Sequence, residues 1–468
     1  MADLPSSRPG ESCGVFGIHA PGADVARLTY FGLFALQHRG QESAGIAVSD
    51  TETMTVYKDI GLVAQVFDEA TLAGLRGDTA IGHTRYSTTG SSVWANAQPT
   101  YRQVGQNGLA LAHNGNLTNT RDLADRVGKL FATTDSELMT EAISQDMIKN
   151  ETSLEDALVS VLPSFEGAFT LTVMDRSTLV GVRDRHGFRP LSLGKLGDGW
   201  VLASETAALD IMGATFFRDV EPGEMVVIDD RGVRSVHPFE STPARMCLFE
   251  FVYFARPDSL INGQNVHAAR RHMGQALAAQ APADADVVVP VPESGIPAAQ
   301  GYAAASGIPY RDGLVKNRYV GRTFIEPAQT MRDMGIHMKL NPLRQELDGK
   351  RVVLVDDSIV RGSTTRQLIR MVRDSGAASV HLRISSPPYR WPCFYGMDTG
   401  DRTTLLAADR SVEEIAEYLD VDSLAYLELD ALLDATGAPA DGFCTACLSG
   451  EYPTPIPIGD GKFALEDS

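Results

Sequence analysis

The sequence predicts a chain of two parts, an α+β half followed by an α/β half. Over residues 13–240, short strands with turn signals follow one another, and only two helical patches interrupt them. From Val266 onward, strands and helices alternate, and the strand Val352–Val355 ends in two aspartates. Strands in runs favour sheets covered by helices, whereas regular alternation favours a parallel sheet flanked by helices.

The elements of the first half follow from local patterns. Short apolar and β-branched runs predict its strands, and apolar residues at helical spacing predict its helices. The predicted strands are Cys13–His19, Gly45–Val48, Ala80–His83, Ala110–His113, Phe169–Met174, Val201–Ser204, Met225–Asp229 and Val233–Val236, and the predicted helices are Val25–Gln37 and Asp135–Lys149.

The second half begins after a linker at His237–Arg245, which is rich in proline and polar residues. Its predicted elements are a helix over 266–280, the strand Val287–Val291, the helix Ile296–Ser306, the strand Arg351–Val355, a helix ended by Gly376 and the strand Val380–Ile384. Parallel sheets of this kind bind ligands at the carboxyl ends of their strands, so we expect a site there.

Composition limits the class of protein. The chain has 468 residues and a formal net charge of −19, which argues against nucleic acid or an anionic membrane as a partner. It has no apolar run of membrane-spanning length, and its start lacks the apolar core of a signal peptide, so we expect a cytoplasmic protein. Five cysteines are few and odd in number, which makes a disulfide framework improbable.

The strand Val352–Val355 and the loop after it carry the pattern of a phosphate site. Asp356 and Asp357 close the strand, and Gly362 precedes small hydroxyl residues at a helix start. A helix start offers N–H groups to an anion, glycine lets a ligand approach the backbone, and the carboxylates suit ribose hydroxyls or Mg²⁺. The spacing is not the Walker pattern, which argues against a nucleoside triphosphatase. An ordinary strand–loop–helix with solvated aspartates is the alternative.

Two further stretches fit the same end of the sheet. Pro290–Gly295 directly follows a strand, and Ser294 within it could reach Mg²⁺; a rigid proline-rich turn is the alternative. The stretch from Lys316 to Asn341 is basic and has few apolar repeats, as a mobile flap would. Cations closing over a pyrophosphate leaving group would neutralise charge and exclude water, although a solvated loop has a similar composition.

Cys13 opens the first predicted strand. As the chain terminus it would carry its own base, because an α-amino group has a pKa of about 7.7–8.0, and its thiol could attack a carboxamide. The twelve residues ahead of it would first have to be removed. Taken alone, a cysteine at the start of a strand is more often a small buried hydrophobic residue.

Four more stretches bear on Cys13: Gln37–Gly45, His83–Thr88, Asn96–Pro99 and His113–Gly115. With the Cys-Gly-Val-Phe-Gly start, their order resembles the class II glutamine amidotransferases, which are N-terminal-nucleophile hydrolases with an αββα sandwich. The resemblance implies that Cys13 is the nucleophile and that Asn114 and Gly115 form the oxyanion hole. It also implies that Arg85 binds the α-carboxylate of glutamine and Asp135 its α-ammonium. Read singly, these could be a surface arginine, an N-cap aspartate and an Asn-Gly turn.

The second half resembles a type I phosphoribosyltransferase domain, and the chain beyond residue 12 resembles the glutamine phosphoribosylpyrophosphate (PRPP) amidotransferase family. The resemblance implies that Ser294, Asp356 and Asp357 hold one Mg²⁺ per subunit and that residues 361–364 cradle the 5′-phosphate. The implied PRPP-binding residues are Asp356, Asp357, Ser358, Arg361, Gly362, Ser363, Thr364, Lys316 and Arg322.

The other cysteines are Cys247, Cys393, Cys444 and Cys447, of which the last two form a Cys-x2-Cys pair. Four thiolates can hold zinc or a [4Fe–4S] cluster, and spacing does not choose between them. A redox dithiol or simple buried thiols are further alternatives. The cysteines match one branch of the family, and this implies one structural [4Fe–4S] cluster per subunit and a propeptide of residues 1–12.

The resemblance implies an enzyme that takes ammonia from glutamine and transfers it to PRPP, the first committed step of de novo purine biosynthesis. It implies an amidotransferase domain over 13–240, a phosphoribosyltransferase domain over 241–410 and a C-terminal helical or tail segment over 411–468 that carries two of the cluster cysteines. A homotetramer inhibited by purine nucleotides is also implied. One alternative is a PRPP-binding regulator without turnover, against which the intact Cys13, Arg85, Asn114 and Asp135 argue. The other is a different class II amidotransferase, against which the PRPP motif argues.

Overall fold

The structure of the protein is a computed structural model that describes residues 12–87, 90–105, 107–128, 130–317 and 340–456. In these ranges the chain forms an N-terminal sandwich of two antiparallel sheets, followed by a unit built on a parallel sheet. The predicted order of an α+β half and an α/β half is confirmed.

The N-terminal sandwich is built on two sheets. Its strands are β1 (Gly14–His19), β2 (Ser43–Ser49), β3 (Met54–Ile60), β4 (Thr79–Arg85), β5 (Thr100–Val104), β6 (Asn107–Leu117), β7 (Gly167–Met174), β8 (Leu179–Arg183), β9 (Ser192–Leu196), β10 (Gly199–Ala203), β11 (Thr215–Asp219), β12 (Met225–Asp229) and β13 (Gly232–Val236). The first sheet has the order β11-β9-β10-β1-β4-β2-β3 and the second β13-β12-β8-β7-β6-β5. Strand β1 lies between β10 and β4, so Cys13 stands at the start of a central strand.

Helices cover the outer faces of both sheets. They are α1 (Val25–Ala35), α2 (Val63–Val66), α3 (Glu69–Gly74), α4 (Thr120–Val127), α5 (Asp135–Asn150), α6 (Leu154–Val161) and α7 (Thr206–Asp210). Leu33 of α1 packs in a core outside the first sheet, and Leu138 of α5 packs in another outside the second. A third core, which includes Val15 and Ala112, fills the space between the sheets. These layers form the expected αββα sandwich.

The boundaries differ from the prediction by a few residues. Helix α1 ends at Ala35 rather than Gln37, and β10 covers Gly199–Ala203 rather than Val201–Ser204. The sequence did not predict the shorter helices, such as α6, because about two turns give too few apolar positions to define a helical period.

The second unit contains short ribbons and one parallel sheet. Its strands are β14 (Met246–Cys247), β15 (Leu260–Ile261), β16 (Gln264–Asn265), β17 (Val287–Pro290), β18 (Leu314–Lys316), β19 (Leu340–Pro342), β20 (Arg351–Asp356), β21 (Ser379–Ile384), β22 (Ser423–Tyr426) and β23 (Phe443–Cys444). The parallel sheet has the order β17-β20-β21-β22. Strand β22 lies beyond residue 410, so the sheet continues into the segment predicted as helical or tail.

The helices of this unit flank the parallel sheet. They are α8 (Val266–Gln280), α9 (Ile296–Ser306), α10 (Arg344–Leu347), α11 (Ser363–Asp374), α12 (Val412–Leu419), α13 (Leu429–Thr436) and α14 (Ala446–Ser449), with a π-helical turn at Glu250–Phe254. Apolar side chains pack in one core with Met273 of α8 and in another with Ile369 of α11. Within the described parts of the chain, no helix has the length and apolar character needed to span a membrane.

Candidate active sites and cysteine centre

A small pocket lies at the start of β1. Its lining consists of Cys13, Arg85, Tyr86, Gln98, His113, Gly115, Thr134, Asp135 and Ser136. The sequence predicted that Cys13, Arg85, Gly115 and Asp135 bind or attack glutamine. These four residues line the same pocket. Their meeting is a fact of the fold, and their roles toward glutamine remain predictions.

The Cys13 thiol is buried at the head of this pocket. Its Sγ lies 3.2 Å from the carbonyl oxygen of Tyr86, and the Tyr86 N–H donates to Sγ at 3.4 Å. Burial raises the pKa of Cys13 to about 11, although the Tyr86 backbone and Arg85 act in the opposite direction. With Ser12 still attached, the thiol is therefore neutral near pH 7.

Asn114 and Gly115 lie beside Cys13 on β6. The Oδ1 atom of Asn114 accepts a hydrogen bond from the Ser12 hydroxyl at 2.9 Å, whereas its buried Nδ2 has no partner among the described residues. A buried amide donor without an acceptor is costly unless a ligand supplies one. Gly115 has φ +147°, and a Cβ there would lie 2.1 Å from the carbonyl oxygen of Ala168. The pair thus fits a backbone and side-chain oxyanion hole.

Asp135 is the first residue of α5. Thr134, not Asp135, caps the helix by accepting the Glu137 N–H at 3.3 Å. The Asp135 carboxylate accepts N–H groups from Ser136 at 2.9 Å and Leu117 at 3.1 Å. Burial by itself would raise the pKa of Asp135. His113, 3.6 Å away, and these N–H groups outweigh burial and hold the pKa below its ordinary value. The carboxylate is therefore charged at neutral pH, as a partner for an ammonium group must be.

Arg85 ends β4 with a buried guanidinium. It donates to the carbonyl oxygens of Ser91 at 3.3 Å and Gly90 at 3.4 Å, and it lies 3.5 Å from the Glu42 carboxylate. Glu42 also accepts hydrogen bonds from Ser87 and Ser92. The carboxylate thus joins the arginine to the loop beside the pocket.

The motifs found in the sequence contain Glu42, Tyr86, Gln98 and His113, but no role was predicted for these four residues. Gln98 accepts the backbone N–H of His113 at 2.7 Å, and the His113 ring lies 3.6 Å from the Asp135 carboxylate. Their position in the same short motifs was the only indication of a role in the site. A motif does not show which of its side chains faces the pocket.

The predicted phosphoribosyl site lies at the carboxyl end of β20. Asp356 and Asp357 are buried there, and the Asp357 N–H donates to Asp356 Oδ1 at 2.9 Å. The hydroxyl of Ser358 donates to Asp357 Oδ1 at 2.5 Å, and the Ser294 hydroxyl donates to Asp357 Oδ2. The three residues predicted to hold Mg²⁺ therefore lie together, and oxygen donors of this kind suit that ion.

The loop after these aspartates leads into α11. Gly362 caps the helix with φ +75°, and a Cβ there would lie 2.5 Å from Leu406 Cδ2. Ser363 and Thr364 are the first residues of α11, where backbone N–H groups point outward and attract anions. Burial lowers the pKa of Arg361, while Asp398 and Tyr86 act to raise it. The predicted phosphate cradle thus has the expected local geometry.

The predicted flap is described only at its ends. Strands β18 and β19 pair antiparallel, so residues 316 and 340 lie side by side. The Lys316 ammonium is exposed and lies 3.6 Å from Glu293 Oε2. Arg322 and the rest of the predicted flap lie outside the described residues.

A hydrogen bond joins the two units. Asn116 of β6, which follows the predicted oxyanion-hole residues, donates to the carbonyl oxygen of Phe394 at 3.2 Å. The sandwich and the second unit are therefore in direct contact.

The other four cysteines meet where the end of the chain packs on the segment after the linker. Cys247 and Cys444 are paired residues of the parallel strands β14 and β23. Burial raises the pKa of Cys247 to about 11 and that of Cys444 and Cys447 above its ordinary range, and Cys393 raises each of them further. The four thiols therefore lie within electrostatic reach of one another.

The chemistry of these donors fits a metal group. Four shielded thiols are the ligand set of structural zinc sites and of [4Fe–4S] clusters. Among the described residues, no three His, Cys, Asp or Glu side chains are arranged to hold a metal ion. Zinc, a [4Fe–4S] cluster, a redox dithiol and simple buried thiols therefore all remain alternatives for these cysteines.

Comparison with known proteins identifies both units. A profile for the glutamine amidotransferase domain matches residues 83–211, and one for the phosphoribosyl transferase domain matches residues 258–385. The fold and the two sites thus define a glutamine amidotransferase joined to a phosphoribosyltransferase.

Full-length relatives narrow this class. The amidophosphoribosyltransferase of Mycobacterium tuberculosis strain H37Rv is 53% identical over 96% of this chain and 88% of its own length, and that of Bacillus subtilis is 46% identical over 95% of each. The solved glutamine PRPP amidotransferase from B. subtilis, complexed with ADP and GMP, matches with a TM-score of 0.90 and 44% identity over 97% of this chain and 100% of that one. The chain belongs to the amidophosphoribosyltransferase family.

Proposed function

We propose that the protein hydrolyses glutamine at Cys13 and transfers the ammonia to PRPP, which yields 5-phospho-β-D-ribosylamine, glutamate and pyrophosphate. This reaction is the first committed step of de novo purine biosynthesis. The observation that carries the proposal is that one chain holds both parts: a pocket with a cysteine beside an unpaired amide donor, and a helix-start loop behind two adjacent carboxylates. Family membership over nearly the whole chain supports the same reaction.

In the glutaminase half, the Cys13 thiolate attacks the carboxamide carbon once its α-amino group is free to accept the proton. The unpaired Nδ2 of Asn114 and the backbone N–H of Gly115 stabilise the oxygen as it becomes negative. Arg85 and the charged Asp135 hold the α-carboxylate and α-ammonium of glutamine. Collapse of the tetrahedral adduct breaks its C–N bond and releases ammonia, which takes up the proton that the α-amino group had accepted, and a thioester remains at Cys13. Water then hydrolyses this thioester to release glutamate and regenerate the thiol, and the ammonia passes to the transferase half.

In the transferase half, Asp356 and Asp357 bind the ribose hydroxyls, and the start of α11 binds the 5′-phosphate. Arg361, Ser363 and Thr364 supply side-chain donors. Ser294 and the two aspartates would hold one Mg²⁺, which neutralises charge on the pyrophosphate when bound. Lys316 and Arg322 belong to the predicted flap, which would close over the pyrophosphate leaving group. Ammonia then attacks C1 of the ribose as pyrophosphate departs.

The test supplies glutamine, PRPP and Mg²⁺ to anaerobically purified protein and measures glutamate and pyrophosphate. We expect both products in a one-to-one ratio. Glutamate without PRPP-dependent pyrophosphate would indicate another class II amidotransferase, and PRPP binding without either product would indicate a regulator.

The proposal includes removal of residues 1–12. Ser12 is buried and donates to Asn114 Oδ1, so while the Ser12–Cys13 bond is intact it occupies the space beside the oxyanion hole. We expect intact-mass measurement of active protein to show a chain that begins at Cys13. Full glutaminase activity in a chain that retains residues 1–12 would contradict this step.

We further propose that Cys247, Cys393, Cys444 and Cys447 hold one [4Fe–4S] cluster per subunit. Support comes from the proximity of the four shielded thiols and from the resemblance of their sequence settings to one branch of the family. The cluster would tie the end of the chain to the segment after the linker. We expect anaerobic protein to be brown with four iron and four sulfide per chain, whereas a colourless protein with stoichiometric zinc would contradict this assignment.

Assembly and regulation complete the proposal. We infer a cytoplasmic homotetramer that purine nucleotides inhibit. A solved relative of 44% identity is complexed with ADP and GMP, which supports nucleotide binding here.

A further inference from the structure

A group of charged side chains lies buried between the amidotransferase sandwich and the segment after the linker. It consists of Arg39, Arg189, Glu205 and Glu250, and the side chains of all four are fully buried. Two guanidinium groups and two carboxylates balance in charge. A buried group of this kind tolerates the loss of one member poorly, because an unpaired charge then remains in the interior.

Arg39 connects this group to the proposed nucleophile. Its Nε donates to the backbone carbonyl oxygen of Cys13 at 3.1 Å, and its Nη2 donates to Ser12 Oγ at 3.3 Å. Its Nη1 donates to Glu205 Oε1 at 2.5 Å and to Glu250 Oε2 at 3.0 Å. The remaining Nη2 donor reaches Glu250 Oε1 at 2.7 Å, so all five donors of the fork are used.

Glu250 comes from outside the sandwich. It begins the π-helical turn Glu250–Phe254, beyond the linker, and binds both nitrogens of the Arg39 fork. It also accepts from Arg189 Nη1 at 3.1 Å. Burial lowers the pKa of Arg39, yet Glu250 and Glu205 hold it above its ordinary value. Because a bidentate pair fixes direction as well as distance, Glu250 fixes the angle at which Arg39 meets Cys13.

We propose that Glu250 is a positioning residue of the glutaminase, which acts through Arg39 on the backbone of Cys13. The inference rests on the proposed function, since it concerns the orientation of the proposed nucleophile. The Cys13 carbonyl remains after cleavage at Ser12, so the contact persists in the mature chain. Glutamine use therefore depends on how the segment after the linker docks on the sandwich, whereas use of free ammonia does not.

The test compares Glu250→Gln with the wild type in the anaerobically purified full chain. Glutamine-dependent and ammonia-dependent syntheses are both measured and normalised to the cleaved fraction from intact mass. We expect kcat with glutamine to fall by about 10- to 100-fold, because small misplacement of a reacting group costs this much. The KM for glutamine should change by less than about threefold, since Glu250 does not line the pocket. Ammonia-dependent activity should stay near that of the wild type.

Glu224→Gln is the matched control. Glu224 is also buried and binds both nitrogens of one arginine, Arg218, at 2.6 and 2.8 Å, but this pair does not contact Cys13. Its ratio of glutamine-dependent to ammonia-dependent activity should equal that of the wild type. If Glu250→Gln shows the same unchanged ratio, the proposal is wrong.

Glu250→Asp keeps the negative charge, and it provides a second test if Glu250→Gln fails to fold. Its shorter side chain cannot reach both nitrogens of the Arg39 fork from the same backbone position. We therefore expect an intermediate loss of glutamine-dependent activity, with ammonia-dependent activity unchanged. We also expect Cys13 to react more slowly with an electrophilic glutamine analogue. Equal loss of both activities would overturn the inference. A wild type without PRPP-dependent pyrophosphate release would instead overturn the proposed function.

Discussion

Cys13→Ala should abolish the use of glutamine and leave synthesis from free ammonia intact. The alanine lacks the nucleophile, and loss of a nucleophile typically costs about four orders of magnitude or more in kcat. The phosphoribosyl site uses residues from β20 and α11 that do not contact Cys13, so it should keep its activity. The measurement is pyrophosphate release with PRPP and either glutamine or ammonium chloride.

Ammonia-dependent activity in the same variant is the internal control, because it reports that the fold and the second site are intact. Alanine is slightly smaller than cysteine, and the site lies in a buried core, so a melting curve should accompany the assay. Loss of both activities would mean that Cys13 has a structural role. Retention of glutamine hydrolysis would place the nucleophile elsewhere.

Asp357→Asn should abolish synthesis from either nitrogen source. The carboxylate accepts hydroxyl hydrogen bonds from Ser294 and Ser358 and lies at the proposed Mg²⁺ site. An amide would retain the shape and lose the charge that a divalent cation needs. We expect a fall of about 100-fold or more in PRPP-dependent turnover, since even residues supporting a metal ligand cost 10- to 100-fold.

Asp286→Asn is the matched control for this variant. Asp286 lies at the opposite end of the same sheet, where it pairs with Arg351 at 2.9 Å. We expect turnover to be unchanged in this variant and stability to fall only slightly, because water screens an exposed ion pair. Normal turnover in Asp357→Asn at saturating PRPP and Mg²⁺ would contradict the assigned role.

Much of the candidate site could be predicted because its residues lie in short motifs. Cys13, Arg85, Gly115 and Asp135 come from four distant stretches, and the fold brings them into one pocket. The phosphate loop was easier to predict, because its aspartates and its helix start are consecutive in the chain. Roles for Glu42 and His113 were missed, since the sequence does not show which side chains of a motif point inward.

Elements that were short or came late in the chain were not predicted. Strand β22 is only four residues long and lies among helices, so the segment after residue 410 was predicted only as a helical or tail segment. In the structure it adds an edge strand to the parallel sheet and packs its Tyr426 beside the same core as Ile369. Pairing with β21 supplies hydrogen bonds that no local pattern reveals.

By itself, the sequence determined the two-part architecture and the chemistry of both sites, because periodicity and residue type are local properties. Only the tertiary structure decided that Asn116 of the sandwich reaches Phe394, and that Glu250 reaches Arg39, 211 positions away in the chain. Contacts of that kind depend on how the second unit packs on the sandwich. Buried ion pairs between distant segments leave no periodic pattern in the sequence, so they cannot be predicted from it.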